Sequence, residues 1–439
     1  MANIKEIKKK NGTTAYKVTF FLGRTENGKE ILKSKTFNPD PQKTQKQNER
    51  ALNKFISDYE EKYRFNSIDG EKLTFERFAR SWLKNYAEPE LEKTTVARYK
   101  NGLENTIFPR IGYMKIVDIK PSTIQWMLND MRETGYEKDG VQKPYSDESC
   151  RTCKIIVSSI MSAAVADGII TSNPCILRQR KHKKVEKKEV RCFSIEQAAR
   201  FLDIIEKPIP IIVPEKEVIR HGKKVIREEY KQGELVVAHK YKTAFAVTIF
   251  SGVRREELLG LQWKDIDFDK NSININKAVQ YTKEDGVFVK APKSAAGYRE
   301  IFLPDTCMDK LADLKADQMM EILKQGSNWK GSRKIEENFC FTQYDGKIMF
   351  PSTLRSELVR VINTYNKSCK NEEDKLPVIS LHDLRHTSAS ILMAQGLEPP
   401  AIAERLGHSD ASITLQVYAH SFQERDKVAA DALAQALLG

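Results

Sequence analysis

The stretch from Leu381 to Tyr418, LHDLRHTSASILMAQGLEPPAIAERLGHSDASITLQVY, carries side chains suited to chemistry at a phosphate. His382 and Arg385 stand three apart, which places them on one face of a helix. His408 follows in a turn, and Tyr418 lies in the segment Ile413 to His420. Arginine offers a planar fork of donors to phosphate oxygens. Histidine bonds or moves a proton near neutral pH, and tyrosine is a nucleophile that leaves a covalent phosphoester. The set suits metal-free phosphodiester chemistry once a second arginine and a general acid are added. Arg254, in SGVRREELLGL, provides the arginine, and Lys293, in the turn of APKSAAGYREIFLP, provides a mobile proton donor. His386 makes an HxxxH pair with His382, but no third ligand or HExxH pattern accompanies it, so no metal is expected.

The elements that must position these groups are punctuated by glycine and proline. Gly252 interrupts the apolar run Ala244 to Phe250, and a helix begins beside Arg254 with Leu258 and Leu261 facing a core. A β-meander is expected over Ser272–Thr282, Val287–Lys290 and Arg299–Leu303, with a turn at Lys283 to Gly286. Gly396 ends the helix of His382, and Pro399-Pro400 opens the next segment. Ala401 to Leu406 reads as a short helix capped by Gly407.

In order and spacing, SGVRREELLGL, the lysine of APKSAAGYR, HDLRH, LGHSD and VYAH resemble the motifs of the tyrosine recombinase (phage-type integrase) family. The closest kind is the arm-binding integrase of temperate phages and conjugative transposons. Ser251 stands where that family more often has threonine. The resemblance implies a site-specific recombinase that integrates and excises a mobile element through a 3′-phosphotyrosine, without ATP, metal or other cofactor. It implies Tyr418 as nucleophile, Arg254 and Arg385 as the phosphate clamp and Lys293 as acid to the leaving oxygen. His382 would take the tyrosine proton, and His408 would bond the phosphate. Double-stranded DNA at core and arm sites is the implied partner, with a homotetramer joined through the C-terminal helix and a DNA-bending accessory protein. Two other readings use the same residues. One is a type IB topoisomerase-like enzyme that nicks and reseals; the other is a non-catalytic DNA-binding regulator.

The expected fold class is multidomain. It comprises an N-terminal β-β-β-α arm-binding domain, an α-helical core-binding (SAM-like) bundle, and a mainly α catalytic domain with a small antiparallel β-meander. The length of 439 residues fits two to four domains. A formal net charge of +13 favours an anionic partner. Seven scattered cysteines fit a reducing compartment. No leader pattern and no run of apolar residues of membrane-spanning length is read in the chain, so a bacterial cytoplasmic, nucleoid-associated protein is expected, with no membrane partner.

Residues 1–70 alternate as three strands, with turns at Asn11-Gly12 and Glu26-Asn27-Gly28, and then a helix from Pro41 to Tyr63. Their cations Lys5, Lys8, Lys17, Arg24, Lys33 and Lys35 are candidate DNA contacts, or else a merely solvated basic sheet. Residues 72–175 read as helices whose apolar positions form a core, Trp126 and Ile155 among them. A Thr94-Thr95 cap opens one of these helices, and Lys93, Arg98, Lys100, Arg151 and Lys154 are candidate phosphate contacts. Residues 176–191 form a basic linker with Arg180, Lys181 and Lys183 as candidates. Residues 192–439 form the catalytic unit, opened by a capping box at Ser194 to Gln197 and closed by an amphipathic helix at 422–438. A charged segment from Pro208 to Lys242 reads as an inserted hairpin or long loop around His221-Gly222, with no role assigned.

Overall fold

The computed structural model describes residues 3–8, 14–24, 30–65, 73–138, 140–176, 191–213, 215–220, 223–227, 229–292 and 295–408. They fall into two compact units, Met1–Val185 and Glu186–Gly439.

In the first unit, β1 (Asn3–Lys8), β2 (Thr14–Arg24) and β3 (Glu30–Phe37) form an antiparallel sheet in that order, followed by helix α1 (Gln45–Phe65). The turn residues Asn11-Gly12 and Glu26-Asn27-Gly28 lie outside the described residues. Successive side chains in a strand alternate faces. Val18 and Phe20 therefore turn one way, and Phe20 and Phe37 meet Tyr59 and Phe55 of α1. The register sets Lys33 opposite Phe20 and Lys35 opposite Val18, on this same helix-covered side. Lys5 and Lys17 face each other across β1 and β2 on the other side. The basic residues are thus divided between the two faces rather than gathered on one.

The helical bundle that follows is built from α2 (Phe75–Trp82), α3 (Lys93–Gly102), α4 (Pro121–Glu133) and α5 (Asp147–Ala166). Wider π-helical turns at Leu83–Ala87 and Leu103–Gly112 prolong α2 and α3. A short hairpin of β4 (Tyr136–Lys138) and β5 (Val141–Lys143) lies between α4 and α5. Glu92 is the N-cap of α3, so Thr94 and Thr95 lie inside its first turn and do not cap it. The core of α4 is Ile124, Met127, Leu128 and Met131, a stripe at helical spacing. Trp126 falls off that stripe and is 50% exposed, and Ile155 likewise leaves the buried face of α5. Neither is a core residue, contrary to the expectation from composition. Among the described helices, α5 alone is long and apolar enough to cross a membrane, yet Cys153, Ile156, Val157, Ile160 and Met161 bury it in the bundle.

The second unit opens on α6 (Ile195–Ile204), whose capping box joins Ser194 and Gln197 in both directions. The charged segment is a long antiparallel ribbon. Its base pairs β6 (Ile209–Val213) with β9 (Tyr230–Leu235), and its distal part pairs β7 (Lys216–Arg220) with β8 (Lys223–Arg227). Its tip, His221-Gly222, lies outside the described residues. Ile209 and Leu235 sit in the domain core, and α7 (His239–Ser251) starts three residues before Lys242, so the insertion is shorter than expected. Thr243 to Ile249 of α7 are all buried, making it the central helix. Each large apolar side chain buried there, such as Phe245 or Val247, contributes roughly 1.5–3 kcal/mol.

Beyond α7 come α8 (Arg255–Gly260), β10 (Ile266–Asp267), β11 (Ser272–Ile275), β12 (Ala278–Thr282), β13 (Gly286–Lys290) and β14 (Arg299–Phe302). The sheet is not one meander. β11 pairs with β10 and β14, while β12 and β13 form a separate hairpin. The expected strand Ser272–Thr282 breaks at Asn276-Lys277, where buried Asp265 accepts from Asn276 Nδ2 at 2.8 Å and Lys277 Nζ at 2.6 Å. Helices α9 (Asp305–Gln325), α10 (Pro351–Ser368), α11 (Leu381–Ala394) and α12 (Pro399–Leu406) complete the described part. Ser380 and Asp383 form a capping box at the start of α11.

Candidate active site

Two glycines in left-handed conformation build the site's frame. Gly252 (φ 66°) ends α7 and Gly407 (φ 69°) ends α12. A side chain at either would be strained by its φ. A Cβ on Gly252 would also run into Leu406, and one on Gly407 would run into Arg299 and the Ala296 carbonyl.

Arg385, on α11, is 2% exposed and donates through Nη1 to the carbonyls of Gly252 (2.7 Å) and Leu406 (2.8 Å). Arg254 is the N-cap of α8 and donates through Nη2 to the carbonyl of Gly407 at 2.8 Å. The two guanidinium groups therefore bracket the adjacent carbonyls of residues 406 and 407. Cations held this way meet an incoming anion with little reorganisation.

Glu257 is the counter-charge. It is 5% exposed and accepts from Arg254 Nη1 at 2.7 Å, Arg254 N at 2.9 Å and Arg299 Nη2 at 2.8 Å. Burial alone would raise its pKa, but the hydrogen bond and charge of Arg299, with those of Arg254, hold it below the usual carboxylate range. Arg299 also donates from Nε to the Arg405 carbonyl at 2.8 Å, and Arg405 donates to Phe250 and Phe302 carbonyls. One ionic network thus ties α7, α8, β14 and α12 together.

Three histidines border the arginines. The rings of His382 and His386 meet edge to face with centroids 4.7 Å apart. Burial, then the charge of Arg385, lowers the pKa of His382. Burial, then the neighbouring His382, lowers that of His386 to about 4. Burial, then Arg385 and Arg254, lowers that of His408 to about 4. All three are neutral at pH 7, so each has a ring nitrogen able to accept a proton. Thr387, on the same helix, accepts from Phe193 N at 3.0 Å and joins α11 to the start of the unit.

Of the six expected catalytic residues, the fold brings Arg254, His382, Arg385 and His408 together. Lys293 and Tyr418 lie outside the described residues, as do Arg180, Lys181, Lys183, and the 422–438 helix. Glu257, Arg299 and Arg405 went unassigned by spacing. Glu257 and Arg299 stand within the quoted motifs SGVRREELLGL and APKSAAGYR, but their partnership spans 42 positions. Among the DNA candidates, Lys5, Lys8, Lys17, Lys35, Lys93, Arg98 and Arg151 are exposed, and Lys33 and Lys154 are half-buried. Lys100 pairs with Glu88 at 3.1 Å, and Arg24 is opposite Glu30 in the sheet. Among the described residues, no group of three or more His, Cys, Asp or Glu is arranged to hold a metal.

Residues 234–425 match the model of the phage integrase family, and residues 74–132 match that of the phage integrase N-terminal SAM-like domain. Together they span more than half of the chain. The chain belongs to the phage integrase family. It is a tyrosine-type site-specific recombinase with a SAM-like domain and a catalytic domain. The recombinase is 25% identical to a XerC-like tyrosine recombinase of Caldanaerobacter subterraneus, over 97% of each chain. It is 26% identical to the ICEBs1 integrase of Bacillus subtilis, over 68% of this chain and 69% of that one. The fold also resembles that of the Tn1549 transposon integrase solved with transposon right end DNA. That match has a TM-score of 0.60 at 22% identity, covering 84% of this chain and all of that one.

Proposed function

We propose that the recombinase integrates and excises a mobile DNA element in the bacterial cytoplasm, acting as a homotetramer on two duplexes. In this reading residues 1–70 bind arm-type sites, 72–175 grip the core site, 176–191 strap along phosphates, and 192–439 carry the chemistry. The observation that supports it most is the pair of pre-held guanidiniums, Arg254 and Arg385, beside three neutral histidines.

Tyr418 Oη attacks the scissile phosphorus as His382 takes its proton. The P–O5′ bond breaks, Lys293 protonates the leaving 5′-oxygen, and a 3′-phosphotyrosine remains. The negative charge that builds on the non-bridging oxygens is met by Arg254, Arg385 and a His408 hydrogen bond. A 5′-hydroxyl from another strand reverses the sequence. The phosphotyrosine conserves the bond energy, so neither ATP nor a metal takes part. The C-terminal helix 422–438 would join neighbouring subunits.

A nicked suicide duplex, run on denaturing gels in EDTA, tests the scheme. The wild type is expected to give a covalent protein–DNA band and Tyr418→Phe none. A band from both would remove Tyr418 from the mechanism. Bound DNA with no band from the wild type would leave a DNA-binding protein without strand cleavage.

A further inference from the structure

The last turn of α12 is where the arginines of the site meet. A helix leaves its final carbonyls without intrahelical donors. At α12 the cap takes two of them: His408 N donates to the Ala403 carbonyl and Gly407 N to the Glu404 carbonyl, each at 2.9 Å. The next three carbonyls in sequence each accept from a different arginine at 2.8 Å. Arg299 Nε reaches the Arg405 carbonyl, Arg385 Nη1 the Leu406 carbonyl and Arg254 Nη2 the Gly407 carbonyl. The three arginines come from β14, α11 and the N-cap of α8. The negative end of a helix dipole favours such cations. Arg254 and Arg385 are the phosphate clamp of the proposed mechanism; Arg299 is the third member of the row and has no role in it.

Arg299 is too enclosed to reach a phosphate: its side chain is 7% exposed, against 35% for Arg254. Its guanidinium faces Glu257 instead, with Nη2 to Oε2 at 2.8 Å and Nη1 to Oε1 at 3.4 Å. Glu257 also accepts from Arg254 Nη1 at 2.7 Å and Arg254 N at 2.9 Å. One carboxylate thus serves two cations. Alone with Arg254, Glu257 would cancel the charge that an incoming phosphate needs. Shared with Arg299, it fixes the Arg254 side chain and leaves the pair of arginines with a net positive charge. In a buried site that surplus acts strongly at short range and is little screened by salt. Arg299 also donates to the Gly297 carbonyl at 3.3 Å, and its Nη1 stands 2.7 Å from where a Cβ on Gly407 would sit, so β14 backs the carbonyl row.

We propose that Arg299 is a positioning residue for strand cleavage: it shares Glu257 so that Arg254 keeps its charge for the scissile phosphate, and it braces the carbonyl row that aligns Arg254 with Arg385. The proposal rests on the reading of those two arginines as the phosphate clamp. The test is single-turnover cleavage by the full chain on the nicked suicide duplex, made with either a phosphate or a methylphosphonate at the scissile position. The methylphosphonate replaces a charged non-bridging oxygen with a methyl group, so it has less need of surplus positive charge. Arg299→Met is expected to slow covalent-complex formation on the phosphate by about 10–100-fold, the scale of a misplaced catalytic group. On the methylphosphonate the loss is expected to be smaller. A purely structural role would slow both alike, so equal losses on the two duplexes, or no loss on the phosphate, overturn the proposal. Arg299→Lys keeps the charge and is expected to regain most of the phosphate rate; an Arg299→Lys rate no better than that of Arg299→Met overturns the sharing of charge. Arg254→Ala, run alongside on the phosphate, is expected to be slower than Arg299→Met. Arg254→Ala at the wild-type rate would instead remove the clamp reading itself, and the proposal with it.

Discussion

The catalytic cleft and the N-terminal sheet both present cations, but they hold them in opposite ways. In the cleft, Arg385 is buried and bonded to two backbone carbonyls, and Arg254 is fixed by Glu257 and the Gly407 carbonyl. In the sheet, Lys5 and Lys17 are exposed and face each other across two strands. A cation fixed in a low-dielectric pocket acts on charge that appears at one point and one moment. An exposed, rotamer-rich lysine acts on the average field of many phosphates and is screened by salt. In the proposed mechanism the first arrangement would serve a transition state, and the second would serve attachment to DNA.

The sharpest way to break this contrast is to remove a fixed cation. Arg385→Ala is expected to slow formation of the covalent intermediate by 10²–10³-fold, about 3–4 kcal/mol, as when an oxyanion donor is lost. It also leaves the Gly252 and Leu406 carbonyls without their donor, at about 1–3 kcal/mol of stability. Single-turnover cleavage on the suicide duplex, with a urea melt alongside, separates the two effects. If Arg385→Lys restored the full rate, a point charge would suffice and the fixed fork would be irrelevant.

Removing the counter-charge should come next. Glu257→Gln keeps the shape but replaces one acceptor oxygen with an NH2 donor that faces the N–H groups of Arg254 or Arg299, and it leaves both arginines without a carboxylate. An outright broken buried pair costs about 3–5 kcal/mol, and the amide should recover part of that, for a loss of about 2–3 kcal/mol. The urea midpoint reports it. No loss would mean that the carbonyls of Arg405 and Gly407 hold the two arginines unaided.

Some of this was legible from local spacing and some was not. His382 and Arg385 share a face because they are three apart, and Ser194 caps because Gln197 follows it by three. Gly252 and Gly407 marked helix ends because only glycine takes a positive φ without strain. The Glu257–Arg299 pair was hidden, since nothing local relates positions 42 apart. The break at Asn276 was hidden for the same reason: Asp265 causes it from another element. One misreading was avoidable. Trp126 lies off the stripe of Ile124, Met127 and Met131.

Acid provides a milder probe. His386 and His408 have folded-state pKa values of about 4 against an ordinary 6.5. Below about pH 6.5 the unfolded chain binds protons that the folded chain refuses, so stability falls as pH drops towards 4. The N-terminal sheet and α1 have no histidine to titrate. The urea midpoint followed at Trp263 and Trp329, both in the catalytic unit, is expected to fall between pH 7 and pH 5. His386→Gln should flatten part of that fall. An equal pH dependence in the variant would remove His386 from the cause.

The smallest effects belong to the sheet. Lys5 and Lys17 oppose each other, so each raises the cost of the other until an anion arrives. Neutralising one should remove a repulsion as well as a contact, which makes single variants nearly silent in stability. Lys5→Gln with Lys17→Gln is expected to lower the salt slope of binding to a long duplex by about 1–2. Lys33→Gln and Lys35→Gln lie on the α1 side of the sheet and should change it less. A larger loss from Lys33 and Lys35 than from Lys5 and Lys17 would mean that DNA meets the sheet at its helix-covered edge. The contrast between fixed and diffuse cations would stand, with the diffuse set moved to the other face.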